Sequence, residues 1–134
     1  MDEVTVNVEA EIYPTENEEK VQAAVTNILG NSSITIKSEG KVKILTAEAK
    51  GRESLVKLRN IMRSDRVRDA SRKALFRSMS SNLIRICVNK QVAFAGHISF
   101  CEETAESPLG PIKITIETDN PIQLIEWLAE KTER

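Results

Sequence analysis

Val4, Val6, Val8, Ala10 and Ile12 alternate with Thr5, Asn7, Glu9 and Glu11, and this period of two constrains the fold more than any other feature of the chain. Such a strand offers one face to a core and the other to water. The alternation returns in Ile84, Ile86 and Val88, and again where Ile112, Ile114 and Ile116 interleave with Lys113, Thr115 and Glu117. Strands of this kind build sheets with an open side, as antiparallel sheets do. Helical periodicity supplies the cover. Val21, Ala24, Val25, Ile28 and Leu29 form a stripe between a capping box at Thr15-Glu16-Asn17-Glu18 and Gly30. Gly51 opens a second helix with Leu55, Leu58, Ile61 and Met62 on one side. Ser64 or Asp65 can cap its continuation to about Met79, as one bent helix or two, with Val67, Ala70 and Ala74 as the buried face. Asn120-Pro121 starts a closing helix with Ile122, Ile125, Leu128 and Ala129 inward.

Residues 33–37 and 41–49 read as strands around a Glu39-Gly40 turn, and a parity change after Ile44 predicts a bulge. Residues 83–88 and 92–101 read as a hairpin looped by Asn89-Lys90-Gln91. That register would put Phe94 and Phe100 on the core face, and Arg85, Cys87, Ala93, Ala95, His97, Ser99 and Cys101 on the other. With 134 residues, the chain suits one domain over 1–134. The expected class is α+β: an antiparallel or mixed sheet with helices packed on one face, in the order β-α-β-β-α-β-β-β-α.

A net charge of −1 conceals segregation. From Arg52 to Lys90 there are eleven basic residues against Glu53, Asp65 and Asp69, a local balance of +8 that leaves −9 elsewhere. The bland explanation is a solvated helix surface. The other is a polyanion site, favoured by eight Arg to three Lys, because guanidinium forks onto phosphate bidentately. At 100° per residue, Arg66, Lys73 and Arg77 share a narrow stripe.

Other chemistry finds little support. Five glycines at 30, 40, 51, 96 and 110 have no phosphate-loop spacing. His97 is the single histidine; on a strand Cys101 would be about 13 Å from it and Ser99 roughly 7 Å, so neither a metal pair nor a nucleophile–base pair forms. The predicted register also keeps Cys87 and Cys101 apart. Glu102, Glu103 and Glu106 read as a solvated acidic loop, and Trp127 as core or interface. We therefore expect no catalytic residues, no cofactor, no metal and no small-molecule substrate. No apolar run is long enough to span a bilayer. The acidic start and two cysteines point to a cytoplasmic protein with free thiols.

The segment Val88-Asn89-Lys90-Gln91-Val92-Ala93-Phe94-Ala95-Gly96-His97-Ile98-Ser99-Phe100, followed by Ser107-Pro108-Leu109-Gly110-Pro111-Ile112 and preceded by the Arg-rich helix, resembles a family of short archaeal proteins with a predicted RNA-binding domain. The resemblance spans nearly the whole chain. It implies a fold similar to the ribosomal protein that holds 5S rRNA; some relatives have been proposed as companions of the archaeal exosome.

Two functions follow. In the first the chain is a non-catalytic binder of structured RNA, with Arg66, Lys73 and Arg77 as phosphate contacts and Arg63, Arg59 and Lys90 next. Few aromatics, with both strand phenylalanines expected in the core, argue against base stacking on single strands. Small residues at Ala93 and Ala95 would let a backbone approach the open sheet, or would seat another helix or a dimer mate. In the second function the +8 and −9 regions make a protein-interaction or homodimeric subunit with no nucleic-acid role. How the arginines are paired discriminates the two.

Overall fold

The computed structural model describes residues 3–30, 32–64, 67–100 and 110–130. Strand β1 (Val4–Ile12) is followed by helix α1 (Glu18–Ile28), the hairpin β2 (Ser33–Glu39) and β3 (Val42–Lys50), and a 3₁₀ turn over Arg52–Leu55. Helices α2 (Val56–Ser64) and α3 (Arg68–Ser78) come next, then β4 (Met79–Ser80), β5 (Leu83–Asn89), the short α4 (Lys90–Phe94), β6 (Pro111–Thr118) and α5 (Pro121–Leu128). This is the expected α+β class. The six strands form one open sheet in the order β2-β3-β1-β6-β5-β4, and every neighbouring pair is antiparallel.

The period of two does what it promised. Val6 lies opposite Ala49 on one side and Ile116 on the other, and Val8 lies between Ala47 and Ile114. With Ile84, Ile86 and Val88 these side chains make one apolar face, buried under Val21, Ala24, Val25 and Ile28 of α1, Leu58 and Met62 of α2, Leu75 of α3 and Leu124, Ile125 and Leu128 of α5. Each fully buried Ile or Leu contributes about 1.5–3 kcal/mol. The other face keeps Thr5, Asn7 and Glu9 outside.

Local chemistry places the corners. Gly40 takes φ 65° at the first position of the two-residue β2–β3 turn, as a type II′ hairpin wants. Gly51 takes φ 91° where β3 turns into the 3₁₀ segment, and its N–H donates to the Val4 carbonyl at 2.8 Å. Asn17, rather than Thr15, caps α1: its Oδ1 accepts from the Glu19 and Lys20 amides at 2.8 and 3.3 Å. At α5, Asn120 Oδ1 accepts from the Gln123 amide at 3.2 Å, the expected cap.

Several expectations need correction. The β1–β3 and β2–β3 registers run without interruption, so there is no bulge; Val42 and Ile44 are half-buried on the open face. The long helical region is two helices. α3 buries Ser71 and Leu75, whereas Ala70 is exposed, and its N-cap position is Val67 with no side-chain bond. In α5 the inward residue is Leu124, and Ile122 is 54% exposed.

The largest correction concerns residues 92–101. Within 92–100 there is no second hairpin strand. Asn89 Oδ1 accepts from the Val92 amide at 2.9 Å, which turns the backbone into α4, and Asn27 Nδ2 closes that helix by donating to the Ala93 and Phe94 carbonyls, both at 3.0 Å. Phe94 is therefore 45% exposed, not in the core, and of the expected strand only a single bridge from Phe100 to Val88 remains. β5 instead takes β4 as its outer neighbour, in a tight turn where Ser81 adopts φ 57°. The strand count is as expected, but its membership is not.

Helix α5 offers a direct check of this packing. Leu124→Ala should lower stability by about 2–5 kcal/mol in urea denaturation, while Ile122→Ala should stay within about 0.5 kcal/mol. Equal costs would mean that the helix is rotated.

Candidate nucleic-acid interface

The uncovered sheet face forms a groove of about 1250 Å³. Asn7 and Glu9 of β1, Thr46 and Glu48 of β3, and Lys113 and Thr115 of β6 lie along its floor. Ala74, Arg77 and Ser78 of α3 join the lining from the β5 side, with Arg85, Cys87 and Phe100. The register orders these side chains into rows. One runs Arg85, Thr115, Asn7, Glu48, Ser33; the next runs Cys87, Lys113, Glu9, Thr46, Thr35. With about 4.8 Å between strands, Arg85 and Glu48 stand about 14 Å apart. The groove is thus polarised, cationic towards α3 and β5 and acidic towards β1 and β3.

The basic segment divides into two sets. One set is held inside the fold. Lys90 is buried; its Nζ donates to the Glu11 carbonyl at 2.6 Å and to Glu16 Oε1 and Oε2 at 3.0 and 3.2 Å, and it lies 5.6 Å from the centre of the Tyr13 ring. Burial, and then the Glu11 and Glu16 carboxylates, raise the Tyr13 phenol above its ordinary pKa. Arg59 donates from Nε to the Trp127 carbonyl and from Nη2 to Glu130 Oε1, both at 2.9 Å. Arg52 and Arg59 also lie 5.0 and 5.2 Å from the Trp127 ring centre. Arg72 holds Glu126 through both terminal nitrogens and rests on Phe76, and the Glu126 hydrogen bond raises its pKa further. Lys57 donates to the Thr26 carbonyl at 2.7 Å.

The second set is unattached. Arg63, Arg68, Lys73, Arg77 and Arg85 make no ion pair among the described residues, and all but the half-buried Arg68 are exposed. Lys73 and Arg77 are one turn apart on α3, and Arg77 reaches the groove that Arg85 also lines. Arg63 lies in the last turn of α2. Arg66 lies outside the described residues. Of the six cations singled out from the sequence, Arg59 and Lys90 are committed to internal bonds. Arg85 was not singled out, yet its parity opposite Ile84 and Ile86 was signal enough to put it on the open face. Ala93, expected on that face, is buried beneath α1 instead, and Ala95 is exposed at the end of α4. Among the described residues no group of three or more His, Cys, Asp or Glu side chains is placed to hold a metal ion, and no helix is long and apolar enough to cross a membrane.

The open polar sheet is thus flanked by guanidinium groups that make no ion pair among the described residues. Comparison with known proteins gives the family. A family model described as RNA binding matches residues 5–118. A UPF0201 protein of Sulfurisphaera tokodaii is 42% identical over 125 residues, covering 93% of this chain and 86% of that one, and a Sulfolobus acidocaldarius relative is 41% identical over 127 residues, covering 95% and 88%. The crystal structure of a UPF0201 protein from Methanococcus jannaschii superposes with a TM-score of 0.85 at 26% identity, over 96% of this chain and 95% of that one. The chain belongs to the archaeal UPF0201 family.

The two cation sets should respond differently to substitution. Lys90→Met leaves the Glu16 carboxylate without its buried partner and should cost about 3–5 kcal/mol in urea denaturation. Adding Glu16→Gln should recover part of that loss. Arg77→Ala should change stability by no more than about 0.5 kcal/mol.

Proposed function

We propose that the chain is a non-catalytic RNA-binding protein that grips the phosphates of a structured RNA with Lys73, Arg77 and Arg85. The observation that carries this reading is that Arg77 and Arg85, with no ion pair among the described residues, line one side of an open groove, with Lys73 one turn from Arg77, while Arg59 and Arg72 are paired with Glu130 and Glu126. Arg63, exposed in the last turn of α2, is a further cation with no ion pair among the described residues. A solvated helix face would not need to reserve particular guanidinium groups beside a cleft. The RNA-binding description of the family supports the same partner. The groove's floor strands carry no aromatic ring, and Phe100 in the lining is half-buried against the core, which favours phosphate and groove contacts over stacking on unpaired bases.

Fluorescence anisotropy against a folded RNA hairpin and an unstructured oligonucleotide, across a salt series, tests the proposal. The hairpin should bind more tightly, and its affinity should fall linearly with salt on logarithmic axes. A Lys73→Glu, Arg77→Glu, Arg85→Glu variant should lose more than tenfold in affinity and about three units of salt slope, with an unchanged circular dichroism spectrum. Absence of binding at roughly 50 mM salt, where such contacts are strongest, would overturn the proposal and direct the search to a protein partner.

A further inference from the structure

We propose that the groove floor reads ribose 2′-hydroxyls, so that the chain selects double-stranded RNA over double-stranded DNA; this rests on the reading that Lys73, Arg77 and Arg85 hold phosphate. The polarity of the groove carries the inference. Glu9 and Glu48 are exposed on its β1 and β3 side and make no ion pair among the described residues. Their carboxylates repel phosphate, so a nucleic-acid backbone cannot lie evenly across the face. It must put phosphates towards α3 and β5 and a donor-bearing edge towards β1 and β3.

A 2′-hydroxyl is such a donor, and its bond to a carboxylate is charge-assisted. Asn7, exposed between Thr115 and Glu48, offers both an acceptor and donors. Thr46 donates only a long 3.5 Å bond to the Thr35 carbonyl, which leaves its oxygen able to accept. The A-form minor groove is wide and shallow and displays 2′-hydroxyls beside its phosphates, which matches short polar side chains on an open sheet. A DNA duplex supplies no hydroxyl there, and the two carboxylates would face its edge without a donor.

The test is anisotropy with an RNA duplex, the same duplex fully 2′-O-methylated, and a DNA duplex of equal sequence. The RNA duplex should bind at least tenfold more tightly than DNA, and 2′-O-methylation should remove most of that preference. Asn7→Ala with Glu48→Ala, both at exposed positions, should weaken RNA binding about three- to tenfold for each hydrogen bond lost, and should not weaken DNA binding. Equal, salt-sensitive affinity for the three duplexes would overturn this inference and leave the phosphate reading standing. A preference for single strands would overturn it as well. Failure to bind any nucleic acid would overturn both.

Discussion

β1 is paired on both sides, by β3 and β6, and its side chains can be buried on one face only because the other face is Thr5, Asn7, Glu9 and Glu11. That asymmetry dictates the rest. The helices must all gather on the side of Val4, Val6, Val8, Ala10 and Ile12, and the strands joined to β1 must match its parity. They do so through Leu45, Ala47 and Ala49 on one side and Ile112, Ile114 and Ile116 on the other. A sheet covered on one side leaves a second surface whose composition is free of packing demands. Here that surface is polar and carries charge, so the core and the candidate site occupy opposite faces of the same strands.

The concentration of positive charge between Arg52 and Lys90 therefore has two causes. Some of it is architecture. Lys90 and Glu16 join α4 to the turn after β1, and a buried pair of this kind adds little net stability while making the loss of either member costly. Arg52, Arg59 and Arg72 converge on Trp127, Glu126 and Glu130, at the C-terminal half of α5 and just beyond it, and so tie α2 and α3 to the last helix. Arg63, Lys73, Arg77 and Arg85 make no ion pair among the described residues. A count of charges cannot separate the two sets, because an arginine that stacks on an indole and one that faces a groove are written with the same letter.

The strands and helices with sustained periodicity were legible from the residues alone: β1, β5, β6, α1 and the inward face of most of α5. The failures share a cause. Residues 92–100 hold apolar side chains on even positions, but a cap at Asn89 and the Asn27 amide, sixty-two positions earlier, turn Lys90–Phe94 into a helix and end the strand there. Even spacing is weak against a local hydrogen bond backed by a distant one. The same segment carried the family resemblance through Asn89-Lys90-Gln91. Asn89 is a helix cap and Lys90 a buried ion pair, so this part of the resemblance reports on packing rather than on a binding site. Of the candidate site, the Lys73–Arg77 stripe was readable from helical geometry. The groove was not, because it arises from β1, β3, β5, β6 and α3 brought together by pairings between positions up to about a hundred residues apart.

What aims the stripe at the groove is the rotation of α3. Ser71 and Leu75 point into the core, and Arg72, the neighbour of Ser71, is drawn to Glu126 of α5 with Phe76 beneath it. Those contacts fix the helix about its axis. Lys73 and Arg77 follow Arg72 by roughly 100° and 140°, away from both the core and α5, which turns them to solvent, and Arg77 to the open sheet. The bidentate Arg72–Glu126 contact therefore acts as a positioning device for side chains it never touches. A cation on an unanchored surface helix could sweep a wide arc. Here buried Ser71 and Leu75, together with the Arg72–Glu126 pair, set the rotation that turns Lys73 and Arg77 to solvent.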